Sequence, residues 1–120
     1  MASSKEINDN ALVLMVAGAT LGRGDDELGG ILIRSFLHTL GESETIPGHV
    51  IFINSGVKLV VEDSPVLEDL RKLRDQGVSI LACGTCLGHF GLKEKIAVGE
   101  ISNMYDITST MLQAGRIINI

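Results

Sequence analysis

The residues best suited to chemistry are two thiols three positions apart, in the run Cys83-Gly84-Thr85-Cys86. A thiolate attacks sulfur where a thiol does not, so what matters is the setting of each cysteine. An apolar run from Val78 to Ala82 leads straight into Cys83, and a short helix is expected to follow from about Leu87. Backbone N–H groups and the helix dipole at such a junction favour an anion, which predicts a lowered pKa at Cys83. Gly84 adds no side chain to shield it, and Cys86 is near enough to resolve a mixed disulfide or persulfide formed on Cys83. The competing reading is a pair of small buried residues in a packed turn, since free Cys is often buried and inert. The C-x-x-C spacing between strand and helix favours the reactive reading.

Two further readings of the pair are weaker. Cys83, Cys86 and His89 have local spacing suited to zinc, but a closed structural site needs four ligands, and His38 and His49 are distant in sequence. No metal or organic cofactor is therefore expected. A thioredoxin-type oxidoreductase would carry its motif near the chain start and face it with a cis-proline. Here the motif follows two β-α units, and the only prolines, Pro47 and Pro65, precede it.

Other residues can serve the thiols. Arg23, in the glycine-rich stretch Gly18 to Gly24, has the charge to hold an anionic sulfur species, although the stretch matches neither G-x-G-x-x-G nor the P-loop pattern. Asn54 and Ser55 can donate hydrogen bonds to a persulfide or equally cap a turn. Gly84, Thr85 and Asn103 complete the candidate substrate-holding set, with Cys83 and Cys86 as the candidate catalytic residues. His89, three residues after Cys86, falls on the same helix face, as a base or as a solvated surface residue. Lys58 is a lesser candidate, and Tyr105 reads as half-buried at a helix start.

The elements that must position these residues alternate. Ala11 to Ala17 is a continuous apolar run, as in a strand buried on both faces. Asp25 to Leu40 reads as a helix with an apolar stripe at Leu28, Leu32, Phe36 and Leu40. Val50 to Ile53 is a second strand ending at Asn54-Ser55-Gly56. Ser64 caps the next helix with Pro65 at its first position, Val66, Leu70 and Leu73 form its stripe, and Gly77 ends it. Val78 to Ala82 is the third strand and Ile96 to Ile101 the fourth. Asn103 caps a helix to Ala114, and Arg116 to Ile120 is the last strand. Strict alternation predicts an α/β fold: a three-layer α/β/α, flavodoxin-like, mainly parallel sheet of about five strands. Ligands in such sheets sit at the carboxyl ends of the strands, where the glycine-rich loop, Asn54-Ser55, Cys83 and Ser102-Asn103 all fall.

Composition narrows the function. The chain has 120 residues, enough for one domain, here 11–120 behind a polar tail over 1–10. Hydrophobic residues make up 45% but aromatics only 3%, with no Trp, so the core is aliphatic and no stacking platform for bases exists. A net charge of −5 repels nucleic acid and anionic membranes. No segment approaches the ~20 apolar residues of a membrane span, and the start lacks a secretion pattern, so a reducing, cytoplasmic setting is expected.

Four stretches in this order resemble one family: Gly24-Asp25-Asp26-Glu27-Leu28-Gly29, Asn54-Ser55-Gly56-Val57-Lys58-Leu59, Cys83-Gly84-Thr85-Cys86-Leu87 and Val98-Gly99-Glu100-Ile101-Ser102-Asn103-Met104. They are similar to the DsrE-like domain of YedF-type proteins, which are sulfurtransferase-like and associated with selenium metabolism. The resemblance runs from Leu12 to Ala114. Sulfur-carrying members of the wider DsrE family have a Cys after a central strand and a Gly eight residues on, here Cys83 and Gly91. The resemblance implies that Cys83 carries a persulfide and that Cys86 belongs to the narrower YedF-type pattern. It also implies a homo-oligomer, a trimer or hexamer. The TusA-like sulfur-carrier domain that usually precedes it in YedF-type proteins, with its Cys-Pro-x-Pro motif, is absent from these 120 residues.

The function expected is a sulfur or selenium relay between donor and acceptor proteins through Cys83. The alternatives are a nucleotide- or flavin-binding module in which the thiols are incidental, and a redox-sensing subunit using the Cys83/Cys86 pair.

Overall fold

Apolar runs and helix-periodic segments resolve into a five-stranded parallel sheet in the computed structural model, which describes residues 7–120. In chain order the elements are β1 (Ile7–Val16), α1 (Asp26–Gly41), β2 (Thr45–Phe52), a 3-10 helix (Asn54–Val60), α2 (Leu67–Asp75), β3 (Ser79–Cys83), α3 (Gly84–His89), a 3-10 turn (Lys93–Lys95), β4 (Glu100–Ser102), α4 (Met104–Leu112) and β5 (Arg116–Asn119). The strand order is β4-β3-β2-β1-β5. The expected α/β architecture, with helices on both sides of the sheet, is the one that forms.

Strand order dictates the layers. From β1 to β4 each step moves to the next neighbour in one direction, whereas the step from β4 to β5 returns across the sheet. Right-handed crossovers therefore put α1, α2 and α3 on one face and α4 on the other. The cores agree. Leu14, Val16, Val50, Phe52, Ile80 and Ala82 pack with Ile33 and Leu37 of α1, Leu70 and Leu73 of α2 and Leu87 of α3. Val13, Met15, Ile51 and Cys83 pack with Ile107 of α4. Each fully buried aliphatic side chain contributes roughly 1.5–3 kcal/mol.

Several boundaries differ from expectation for local reasons. β1 begins at Ile7, not Ala11, because Ile7 to Asp9 pair with Thr45 to Pro47 of β2; the rest of the expected tail, 1–6, lies outside the described residues. β2 begins five residues before Val50. Its ladder to β3 starts only at His49, so the missing N–H of Pro47 interrupts no bond on that side. β4 shrinks to Glu100–Ser102, because Gly99 takes φ +86 and Ile96 instead makes an antiparallel bridge to Val61. In α2 the Val66, Leu70, Leu73 stripe is fully buried, as expected. The Ser64 Oγ accepts from Val66 N in the turn before that helix, so it caps the turn and not the helix.

The stripe expected on α1 is displaced by one residue. The buried row is Gly29, Ile33, Leu37 and Gly41, while Leu28 and Leu32 are 52% and 41% exposed. A Cβ at Gly29 would stand 2.7 Å from Thr20 Cβ. The helix thus seats on the row whose glycine end lets it close against the loop after β1, leaving Leu28, Ile31 and Leu32 facing outward.

Candidate functional site

All five strands run parallel, so their carboxyl ends form one edge, and both thiols lie there. Cys83 is the last residue of β3 and the N-cap of α3. The helix starts three residues earlier than expected, which places Cys86 in its first turn. α3 and α4 leave the adjacent strands β3 and β4 toward opposite faces, so the topological switch of the sheet falls between Cys83 and Ser102. That crevice is shut. A Cβ at Gly84 would stand 3.1 Å from both Ile101 Cγ2 and Ser102 O. The open ground lies on the other side of the cysteines, against the end of β2.

Cys83 is 1% exposed and sits among Val13, Met15, Ile51 and Ile107. The expectation that it stands unshielded does not hold. The bare Gly84 beside it is irrelevant, because strand alternation turns Cys83 under α4. Cys86 is half-buried, and its Sγ accepts a hydrogen bond from the backbone N–H of Asn54 at 3.1 Å. Both cysteines are free thiols. Burial, first, pushes the Cys86 thiol above its ordinary pKa; the Asn54 N–H pulls it down, and the neighbouring Cys83 pushes it up again.

The Asn54 N–H is held in place by the chain around it. Asn54 takes φ +52, a left-handed conformation that Asn tolerates, and its Oδ1 accepts from Ser55 N at 2.8 Å. The Ser55 Oγ accepts from Ala19 N at 3.2 Å, tying this turn to the glycine-rich loop. Gly56 lies so close to β1 that a Cβ there would stand 2.4 Å from Val16 O.

Cys86 opens onto a shallow depression of about 320 Å³ lined by Asn54, Thr85, Cys86, His89 and Phe90. None of these residues is acidic. Phe90 meets His89 edge to face, with ring centroids 5.0 Å apart, and Lys58 Nζ lies 4.7 Å from the Phe90 centroid. A depression of about 460 Å³ at the opposite edge, where β3 and β4 begin, holds neither cysteine.

Of the residues expected to hold substrate, Asn54 and Thr85 line the depression beside Cys86. Ser55 and Gly84 do not line it: Ser55 ties the Asn54 turn to the glycine-rich loop, and Gly84 lies against Ile101 and Ser102. Arg23 is elsewhere, beside Gly22, Asn119 and Ile120 at the end of β1 and β5. Asn103 is occupied as the cap of α4: its Oδ1 accepts from Asp106 N at 2.8 Å and its Nδ2 donates to Asp106 Oδ2 at 3.1 Å. Tyr105 is 84% exposed, not half-buried. Phe90 was not among the candidates, although it stands four residues from Cys86 and therefore shares its helix face. Among the described residues, no three His, Cys, Asp or Glu side chains converge to hold a metal ion, and no helix is long and apolar enough to cross a membrane.

Comparison with known proteins follows the whole chain. The model of the DsrE/DsrF-like family matches residues 2–120. Among solved structures, the ychN protein from E. coli is similar at a TM-score of 0.65 and 16% identity, over 92% of this chain and 99% of that one. The MTH1491 protein of unknown function from Methanobacterium thermoautotrophicum aligns at a TM-score of 0.66 and 21% identity, over 95% and 99%. No curated protein matches significantly. At these identities the structures establish a common fold.

Proposed function

The chain belongs to the DsrE/DsrF-like family, and from that premise we propose that it relays sulfane sulfur, held as a persulfide on the Cys83/Cys86 pair. One observation carries the reading: two unbridged thiols lie within one helical turn at the carboxyl edge of the sheet, and one of them opens onto a depression with no acidic lining residue. A persulfide anion there meets the Asn54 N–H and no carboxylate. The nucleophile comes from the chain, so thiol exchange proceeds without metal or organic cofactor.

The finer likeness to YedF-type proteins rests on the four sequence stretches, two of which meet in space where Asn54 N donates to Cys86 Sγ. Selenium as cargo follows from that likeness alone and would use the same exchange chemistry. A reducing, cytoplasmic compartment, donor and acceptor proteins, and a homo-oligomeric state of three or six chains belong to the same proposal. Exposed apolar residues on α1 and α4 support self-association.

The test is intact mass after incubation with a sulfane-sulfur donor such as a low-molecular-weight persulfide. Gain of one sulfur atom per chain, or loss of two hydrogens with release of sulfide, is expected. An unchanged mass in the parent and in both single-cysteine variants refutes the reading.

A further inference from the structure

The two thiols differ in a way that bears on what happens after loading. Cys86 is the one a donor can reach, through the Asn54–Thr85–His89–Phe90 depression, while Cys83 is 1% exposed and does not line it. Residues three apart at a helix start have Cα atoms about 5 Å apart, inside the roughly 4.4–6.8 Å that a disulfide spans. We propose, on the basis of the sulfur-relay reading, that sulfur enters on Cys86 and that, with no acceptor present, Cys83 expels it, so that the protein reduces sulfane sulfur to hydrosulfide.

The chemistry balances in two displacements. The Cys86 thiolate attacks the outer sulfur of a donor R–S–SH. A Cys86 Sγ–S bond forms, the donor's S–S bond breaks, and RS⁻ leaves. Cys83 then attacks Cys86 Sγ, forming the Cys83–Cys86 disulfide and breaking the bond to the outer sulfur, which leaves as HS⁻ and takes up the proton Cys83 has lost. Two thiols are oxidised and one sulfane sulfur is reduced. An external dithiol reduces the disulfide and resets the pair. Asn54 N–H, already directed at Cys86 Sγ, stabilises charge on that sulfur at the start of the first displacement. An acceptor thiol that attacks the outer sulfur competes with the attack of Cys83 on Cys86 Sγ, so relay and reduction are two fates of one intermediate.

The experiment uses the whole chain, the same persulfide donor, and no acceptor. The parent should release stoichiometric sulfide and end two hydrogens lighter, returning to its starting mass with a dithiol. Cys83→Ser should gain one sulfur and release no sulfide; Cys83→Ala, which puts no hydroxyl among Val13, Met15 and Ile107, provides the same test should the serine variant fold poorly. Cys86→Ser should load at least tenfold more slowly than the parent. Loading of Cys86→Ser at the parental rate, with none in Cys83→Ala, overturns the entry order while leaving the relay intact. Sulfide release that persists in Cys83→Ala overturns the resolving role. No reaction in the parent or any variant removes the relay reading itself.

Discussion

Gly56 fixes the distance between the end of β1 and the turn that carries Asn54, so Gly56→Ala perturbs the site without touching a thiol. The added Cβ would lie 2.4 Å from Val16 O, 3.2 Å from Val16 C and 3.3 Å from Gly18 N, all backbone atoms that cannot swing aside. Relief to ordinary contact requires a displacement of roughly 1 Å. The same Val16 O accepts from Ile53 N at 3.0 Å, and such a displacement carries that pair beyond hydrogen-bonding distance. Overpacking costs about 1–3 kcal/mol, and a buried carbonyl or N–H left unpaired adds about 1–3 kcal/mol. The expected loss is about 2–6 kcal/mol, a large share of the roughly 5–15 kcal/mol of a typical domain. Gly30→Ala is the control: nothing lies within 4 Å of its added Cβ, and in the interior of α1 the change should stabilise by about 0.5–1 kcal/mol. Urea unfolding followed by circular dichroism measures both. A Gly56→Ala protein within about 0.5 kcal/mol of the parent, a range usual for inert surface changes, would refute the steric argument.

Three further outcomes are expected. Burial is the first cause raising the Cys86 thiol, so in Cys83→Ala its alkylation rate should still climb through and beyond the ordinary thiol range near pH ~8.5; a plateau below that range contradicts the assignment. Because the unfolded chain loses this proton first, the stability Cys86 contributes is complete below the ordinary value and is lost as pH rises through the folded one; the stability of the parent relative to Cys86→Ala should fall accordingly in urea titrations. Leu28 and Ile31 on α1 and Met104, Tyr105 and Leu112 on α4 are all at least half exposed, so light scattering at micromolar concentration should give a trimer or hexamer, and a monomer throughout would exclude self-association.

What the sequence made legible follows from how many solutions each segment allowed. α2 has one apolar row, and Val66, Leu70 and Leu73 could face only the core. α1 has two adjacent apolar rows, and the choice between them was made by the loop against Gly29, a contact no helical periodicity contains. The 3-10 helix over Asn54–Val60 was not foreseen, because Val57, Leu59 and Val60 carry no regular spacing and are buried for tertiary reasons. The meeting of Asn54 and Cys86, 32 residues apart, was legible only as a shared edge, through the rule that parallel strands gather their carboxyl ends. The cover over Cys83 depends on the direction of the last crossover, which is settled by where β5 joins the sheet.

That cover is a single layer of one helix. α4 has nine residues and one fully buried side chain, Ile107. Segments with few buried contacts open at free energies well below that of global unfolding. Cys83 is therefore guarded by a clock: reagents from outside reach it no more often than α4 detaches. In Cys86→Ser, slow labelling of Cys83 and deuterium uptake at the Ile107 amide, whose N–H is bonded to Asn103 O, report the same opening event and should share one temperature dependence. A helix short enough to open occasionally, yet closed most of the time, shields the inner thiol from outside reagents by kinetic seclusion.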